Sequence, residues 1–209
     1  VLIGNGNVKQ TKIPGIKLEV NRESLALQDW LGLAASQQAN KPTIDINEIK
    51  MHSQSAMWNK SRIGLFDLAL KRNSKHWSGE IDSAIAKGKF QFPVETKGIN
   101  PVVLDMDMLN LSALKQLKTQ GAATSTEFKP LFNIHSKKTL WQTENLGELT
   151  LETQQTPKGM NIKRLELVGD DAKLFSTGNW REAGIKSITH LNGKLEMNKA
   201  DQLFNKLNI

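Results

Sequence analysis

Two short segments of the chain carry residue types that could perform catalysis. Asp105 and Asp107 form an Asp-x-Asp pair, which in some transferases holds a metal-bound nucleotide. Ser112 and Lys115 have the Ser-x-x-Lys spacing in which a lysine activates a serine nucleophile. Alternation in PVVLDMDML predicts that both aspartates lie on the solvated face of a strand. The partner motifs of the serine enzymes are missing. The sequence therefore predicts no catalytic residue and a protein that is not an enzyme.

Cofactor and metal sites are not indicated either. The segment GNGN at 4–7 has two glycines of a phosphate loop, but Lys9 stands where the dinucleotide fingerprint needs a third. We therefore expect a turn there. Cysteine is absent, and the four histidines lack metal-ligand spacing: His52, His76, His135 and His190. We expect no cofactor and no metal ion.

The tryptophans and the basic charge raise the question of nucleic-acid binding. One interpretation is that bases or sugars stack on the rings of four tryptophans: Trp58, Trp77, Trp141 and Trp180. Their positions at strand ends and beside turns favour packing of a curled sheet edge instead. The net charge is +7, yet no basic run exceeds a pair such as Lys137-Lys138. A solvated basic surface is favoured over an anionic partner, and we expect no nucleic acid.

Strands must position any site on this chain, because hydrophobic residues alternate with polar ones along most of it. In PVVLDMDML the pattern predicts that Met108 shares a face with Val102, Leu104 and Met106, while Asp105 and Asp107 face the other way. The pairs Leu149 with Leu151 and Leu165 with Leu167 repeat the arrangement. We predict a mainly β fold: a long, curled antiparallel sheet of repeated modules, apolar on one face, with two short helices that follow strands.

The two helices are predicted near the ends of the chain. RESLALQDWLGLAAS offers Ser24 as an N-cap, followed at helical spacing by Leu27, Trp30, Leu31 and Ala34. NKADQLFNKLNI places three apolar residues on one face: Leu203, Phe204 and Leu207. Each follows a strand of similar sequence, KLEVNR at 17–22 and KLEMNK at 194–199. The strand followed by a helix is therefore predicted to be a repeated unit.

A second internal repeat combines tryptophan and glycine. Trp58 and Trp141 are each followed, after five residues, by Gly64 and Gly147, and then by an alternating apolar segment. The spacing predicts one structural unit present twice, with Trp77 and Trp180 as further marks of each copy. We predict a strand-helix and first β module over 1–109, a linker or exposed loop over 110–128, and a second β module ending in a strand-helix over 129–209.

The ends of the chain suggest a piece of a longer protein, since it opens on Val1 and stops at Ile209 within a pattern. No run approaches the roughly 18–20 consecutive apolar residues of a membrane helix. We expect any targeting or anchoring segment to lie outside this piece.

Taken together, the repeats resemble the C-terminal part of YhdP-type proteins of the AsmA-like family from Gram-negative envelopes. IKLEVNRESLALQDWLGLAA is similar to the family's strand and Leu-rich helix, and Trp77-x-Gly79 followed by Gly88 resembles its module turn. NPVVLDMDMLNL resembles the strand that closes a module, and the next module ends on Gly178-Asn179-Trp180. Met160 departs from an aromatic position of the family.

The resemblance implies a non-enzymatic part of a rod in the periplasm, tethered to the inner membrane, that moves phospholipids toward the outer membrane through an apolar β groove. Expected partners are phospholipids and other envelope proteins, with membrane contact through parts absent from this piece. The groove-lining candidates are Val102, Leu104, Met106, Leu149, Leu151, Leu165 and Leu167. From the residues alone we favour an apolar face that packs against a partner layer, as in a structural or protein-binding module. The resemblance reverses that preference.

Overall fold

Strands dominate the computed structural model, which describes residues 2–4, 15–29, 46–58, 61–94, 100–118, 131–157, 159–183, 186–201 and 204. In these residues twelve strands join in one sheet, in chain order from one edge to the other. The first six are β1 (Leu2–Gly4), β2 (Ile16–Ala26), β3 (Ile46–Trp58), β4 (Ser61–Arg72), β5 (His76–Ser83) and β6 (Ala86–Pro93). After β7 (Val102–Asn110) and helix α1 (Leu111–Lys118) come β8 (Phe132–Trp141), β9 (Glu144–Thr156), β10 (Gly159–Val168), β11 (Ala172–Ala183) and β12 (Lys186–Met197). The predicted mainly β fold class is confirmed.

Three strand contacts depart from the predicted antiparallel arrangement. β1 pairs with β2, β2 with β3, and β7 with β8 in parallel, whereas the other neighbours are antiparallel. A parallel neighbour needs a crossover rather than a hairpin, and α1 lies in the crossover between β7 and β8. The sheet is therefore mixed, with hairpin-connected groups of strands joined at parallel contacts.

Two predictions about the helices were wrong in part. Ser24 is not an N-cap, because β2 continues to Ala26 and Ser24 pairs with Ser55 of β3. Helical residues are described at 27–29, while Trp30, Leu31 and Ala34 lie outside the described residues. Residues 111–118 form α1 instead of belonging to a linker, because Asn110 caps the helix by accepting a hydrogen bond from the backbone N–H of Ala113. The predicted division of the chain into modules stays a prediction.

Cross-strand register aligns the apolar side chains in two continuous rows on one face of the sheet. We name the row nearer α1 the helix-proximal row; it contains Val20, Met51, Leu68, Ile81, Gly88, Met106, Ser136, Leu149, Leu167, Leu174 and Leu195. The helix-distal row, two residues along each strand, contains Leu18, Ile49, Leu70, Gly79, Phe90, Leu104, Ile134, Leu151 and Leu165. Directly paired residues lie on the same face, so these rows form one apolar surface across the sheet.

The Trp-Gly repeat contains the same irregularity twice. The register between β3 and β4 shifts between Ser53 and Ala56, and that between β8 and β9 shifts between Ser136 and Thr139, which lie 83 residues further on. Ala56 pairs with Gly64 and Thr139 with Gly147, two glycines with φ of 85° and 104°. A bulge bends its strand and increases the local twist. The sheet is therefore bent at the same point of both copies.

The sheet is a single layer over most of its area. Among the described elements, each strand makes its substantial contacts with its neighbours in the sheet, and α1 packs against β8. β1 and β12 lie at opposite edges, so the described sheet is open. The partner sheet of a β-sandwich is not present over the described apolar face.

The two bulge glycines provide a matched test of the repeat. Alanine at either position adopts an unfavourable positive φ, which costs about 1–2 kcal/mol. A Cβ on Gly64 meets no atom, but one on Gly147 overlaps the carbonyl oxygen of Val168 on β10. We expect Gly147→Ala to lower the free energy of unfolding clearly more than Gly64→Ala, as measured by urea denaturation. Equal losses would contradict the close approach of β10.

Thr139 tests the difference between the two copies of the bulge. Its side chain is 0% exposed, and within the described part of the chain its Oγ1 has no hydrogen-bond partner. The first copy has Ala56 at this position. Thr139→Val should raise the free energy of unfolding by about 1 kcal/mol, because it removes a buried unsatisfied hydroxyl. Ser136→Ala should lower it, since Ser136 Oγ donates to the carbonyl of Lys138 at 3.0 Å.

Candidate functional site

The candidate site is the apolar face, and the register shows where the seven predicted lining residues lie. Met106, Leu149 and Leu167 belong to the helix-proximal row, and Leu104, Leu151 and Leu165 to the helix-distal row. Val102 pairs with Phe132 one step further from α1. All seven therefore share one face. Whether they bind a ligand stays a prediction.

Burial separates these seven residues into two environments. Met106 and Leu149 are 2% and 8% exposed and form a core cluster with Ala86 and Leu109, against which Leu111 and Leu114 of α1 pack. Leu104, Leu165 and Leu167 are half-buried at the margin of this cluster. Val102 and Leu151 are half-buried outside it. Met106 and Leu149 are therefore core residues beneath the helix, whereas the distal row borders the open part of the face.

The prediction that Met108 shares a face with Val102, Leu104 and Met106 is wrong, because the alternation breaks before Met108. A register shift between β6 and β7 pairs Met108 with Lys87 and Gly88 with Met106. Leu109 then joins Met106 in the core cluster, although the two are three positions apart. A period-two pattern cannot reveal a bulge, which needs the partner strand.

The predicted lining set contains three residues of the helix-distal row and misses the others, of which Ile134 and Phe90 are direct neighbours of the predicted ones. Ile134 pairs with Leu104 on one side and Leu151 on the other, and Phe90 pairs with Leu104. The alternation of Phe132, Ile134 and Ser136 was the available signal. The hydroxyl of Ser136 and the neighbouring Lys137 and Lys138 weaken the apolar pattern of this segment.

Tryptophans lie at both ends of the strands that form the apolar face. Trp58 is the last residue of β3 and Trp141 the last residue of β8, and both lie at the end of the strands where α1 lies. The Nζ atom of Lys115 on α1 lies 5.7 Å from the centroid of the Trp141 ring. Trp77 lies at the other strand end, stacked on Phe92 with ring centroids 6.3 Å apart. Trp180 pairs with Met160 at that same end. The apolar face is thus bordered by aromatic rings at both ends.

The opposite face carries charges whose sign alternates from strand to strand. In one row Glu80 pairs with Lys89, Lys89 with Asp105, and Asp105 with His135. Ion pairs join neighbouring strands along this face, including Lys17–Glu48, Lys89–Glu80, Lys87–Asp82, Lys137–Asp107 and Arg164–Glu152. Exposed pairs of this kind add little stability each. Because charged side chains cover this face, it must remain exposed to water.

His135 is held between two carboxylates at the parallel contact of β7 and β8. Its Nδ1 lies 3.3 Å from Oδ1 of Asp105, and its Nε2 lies 3.0 Å from Oε1 of Glu148. Carboxylates accept hydrogen bonds, so both nitrogens donate only when the ring is protonated. The hydrogen bond with Glu148, followed by that with Asp105, raises the pKa of His135 above 6.5. His52, its equivalent 83 residues earlier, contacts Asp67 at 2.6 Å.

Two adjoining hollows lie on this charged face. They measure about 590 and 510 Å³ and share Lys50, Ala69, Glu80 and Lys89 in their walls. The short side chain of Ala69 among longer neighbours accounts for the space. Both signs of charge line the walls, so the hollows select neither anions nor cations.

The residues considered for catalysis have other partners in the structure. Asp105 contacts His135, while a hydrogen bond from Lys137 lowers the pKa of Asp107 and holds it in an ion pair at 2.7 Å. Ser112 Oγ donates to Asn110 Oδ1 and accepts from the backbone N–H of Gln142. Within the described residues no group of three or more histidine, aspartate and glutamate side chains is arranged so that it could hold a metal ion. The arrangement shows no catalytic feature in this part of the chain.

A family model described as YhdP protein matches residues 1–209, the whole chain. The chain belongs to the YhdP family. Membership places it among envelope proteins with a role related to lipid transport. Neither a curated protein sequence nor a solved structure matches the chain. In the residues described, no helix has the length and apolar character needed to cross a membrane.

The raised pKa of His135 predicts a pH dependence of stability. A folded-state pKa above the unfolded value gives stabilisation that is complete below about pH 6.5 and is lost as pH rises through the folded pKa. The side chain is 43% exposed, so solvent screening limits the effect to less than about 1 kcal/mol. Urea denaturation should show a lower free energy of unfolding at pH 8 than at pH 6 for the native chain. This difference should be smaller for His135→Gln. An identical loss in both proteins would contradict this role.

Proposed function

We propose that the apolar face holds the acyl chains of phospholipids, and that the chain is a non-enzymatic segment of a periplasmic conduit, tethered to the inner membrane, that moves phospholipids toward the outer membrane. One observation carries the proposal: a continuous apolar face, half-buried along the helix-distal row except at the buried Leu70, over which the described residues place no second sheet. Membership of the YhdP family supports it.

The physical requirement for such a conduit is a water-shielded apolar surface that runs without interruption. Each buried CH₂ group contributes about 0.8 kcal/mol, so an acyl chain is held by many weak contacts rather than by one residue. The helix-distal row supplies aligned apolar residues from β2 to β10, with Gly79 as the member on β5. Acyl chains would contact this row, and transport would proceed from one strand to the next.

A second candidate function, a structural or protein-binding module of the envelope, is favoured by the β12 edge. Leu191 and Leu195 on β12 are each 53% exposed. In the repeat β12 corresponds to β7, whose equivalent edge pairs with the parallel strand β8. An extended segment of another protein could add to β12 in this way. Pull-downs that recover a stoichiometric protein, and never lipid, would support this function.

Leu151 and Leu149 form a matched pair that tests the proposal. Both lie on β9 and on the apolar face, but Leu151 is half-buried outside the core cluster and Leu149 is 8% exposed within it. Leu151→Asp should abolish lipid recovery from the purified, detergent-free chain while leaving its fold intact. Leu149→Asp should unfold it, because an unpaired carboxylate enters the core. Organic extraction with mass spectrometry, and circular dichroism, provide the two measurements.

The outcome of that pair separates the two candidate functions. Phospholipid at a defined ratio in the native chain, lost in folded Leu151→Asp, supports an open groove. If Leu151→Asp unfolds like Leu149→Asp, the helix-distal row is part of the packed core, and Leu151 does not line a groove. A folded Leu151→Asp chain that retains all its lipid would place the lipid elsewhere.

A further inference from the structure

A basic turn borders the apolar face at the end of the strands away from α1. The turn between β4 and β5, with the residues that flank it, reads Lys71-Arg72-Asn73-Ser74-Lys75-His76 and contains no acidic residue. At the end near α1, the turn between β10 and β11 carries Asp170 and Asp171 instead.

The basic border is ordered and meets the aromatic side chains of the apolar face. Asn73 Oδ1 accepts hydrogen bonds from the backbone N–H groups of Lys75 at 2.9 Å and His76 at 2.7 Å, which fix the turn. Arg72 pairs with Trp77, and Trp77 with Phe92, so the guanidinium-bearing residue and the aromatic pair share one row on one face. A cation beside amphipathic aromatic rings is the arrangement that borders apolar regions where lipid headgroups meet water.

We propose that the Arg72–Lys75 turn, with Trp77, binds the phosphate-bearing headgroup of a two-chain lipid whose tails lie on the helix-distal row. The inference rests on the proposed function and deepens it by fixing the orientation of the lipid. Arg72 and Lys75 supply positive charge to the phosphate, and Trp77 covers the junction between headgroup and tails. The tails then extend along the strands toward α1 and meet the helix-distal row at half-buried residues such as Phe90 and Leu104.

The length of the strands makes this orientation measurable. Along β4, Ser61 lies opposite Trp58 and Arg72 lies opposite Trp77, a span of about 36 Å at 3.3 Å per residue. One leaflet of a bilayer's hydrocarbon core is about 15 Å thick. A lipid with its headgroup at Arg72 therefore does not bring that headgroup near the tryptophans at the other end.

Single-tryptophan chains would locate the headgroup by fluorescence quenching. One variant keeps Trp77 and replaces Trp30, Trp58, Trp141 and Trp180 by Phe; its control keeps Trp141 and replaces Trp77 instead. Each is loaded from vesicles of phosphatidylglycerol carrying a nitroxide on either the headgroup or the acyl-chain terminus, and is then separated from the vesicles by flotation. The headgroup label should quench Trp77 more strongly than Trp141. Equal quenching, or the reverse order, would overturn the orientation.

Charge variants test the same proposal without altering the aromatic residues. Arg72→Gln with Lys75→Gln should weaken binding of phosphatidylglycerol about thirtyfold, or about 2 kcal/mol, since both substitutions remove a basic residue that attracts an anionic lipid. The control, Arg62→Gln with Lys138→Gln, removes the same charge from exposed positions nearer α1 and should leave binding unchanged. Equal weakening in both pairs would show a general charge effect and overturn the proposal.

Two further outcomes separate this inference from the function on which it rests. If no lipid accompanies the native chain after flotation, the proposed function itself fails. If lipid is bound but excess glycerol phosphate displaces it, the turn is a plain anion site and the orientation is wrong. Retention of the lipid under excess glycerol phosphate, together with the Trp77 quenching, supports a headgroup joined to tails on the apolar face.

Discussion

The period of two along a β-strand governs this molecule, because a one-layer sheet must keep one face apolar and the other solvated on every strand. A slip of one residue in any strand would exchange its two faces. The register keeps Leu104, Ile134 and Leu151 in one row, and keeps Lys89, Asp105 and His135 in another. The alternating charges reinforce that choice, since a slipped strand would bring carboxylates onto the apolar face without partners. The charged face thus specifies register more than it adds stability.

Alternation in the sequence was sufficient to predict the strands, the apolar face and the internal repeat, since each depends on local spacing. Ser24 shows where local reasoning fails: its sequence suits an N-cap, yet pairing with Ser55 on β3 keeps it in a strand. The parallel contacts and the shift that relocates Met108 depend on how two strands pair, so neither leaves a pattern within the sequence of one strand. For the candidate site, alternation identified the face, but the division between Met106 under α1 and Leu151 beyond it required the helix packing.

The repeat explains how a single layer of this width is built. A hairpin-connected group ends at a parallel contact, where the chain crosses over before the next group begins, and α1 marks one such crossover. Because α1 packs on the apolar face at one end of the strands, it covers Met106 and Leu149 and leaves the distal row beside it uncovered by any described element. The crossover helix therefore supplies core stability and borders the apolar surface in the same contact. The glycine bulges recur at this end in both copies, where the strands bend beside the helices.

The asymmetry between the two strand ends follows from the same construction. Crossovers place helices at one end of the parallel contacts, so hairpin turns at the opposite end lie away from the helices and carry exposed basic and aromatic residues. The turn at Asn73 does so, with Arg72 in register with Trp77 and Phe92. An apolar surface covered by a helix at one end and bordered by cations at the other presents different chemistry to the two ends of an amphipathic molecule. In a one-layer sheet, the direction of the strands thereby determines the direction in which such a molecule lies.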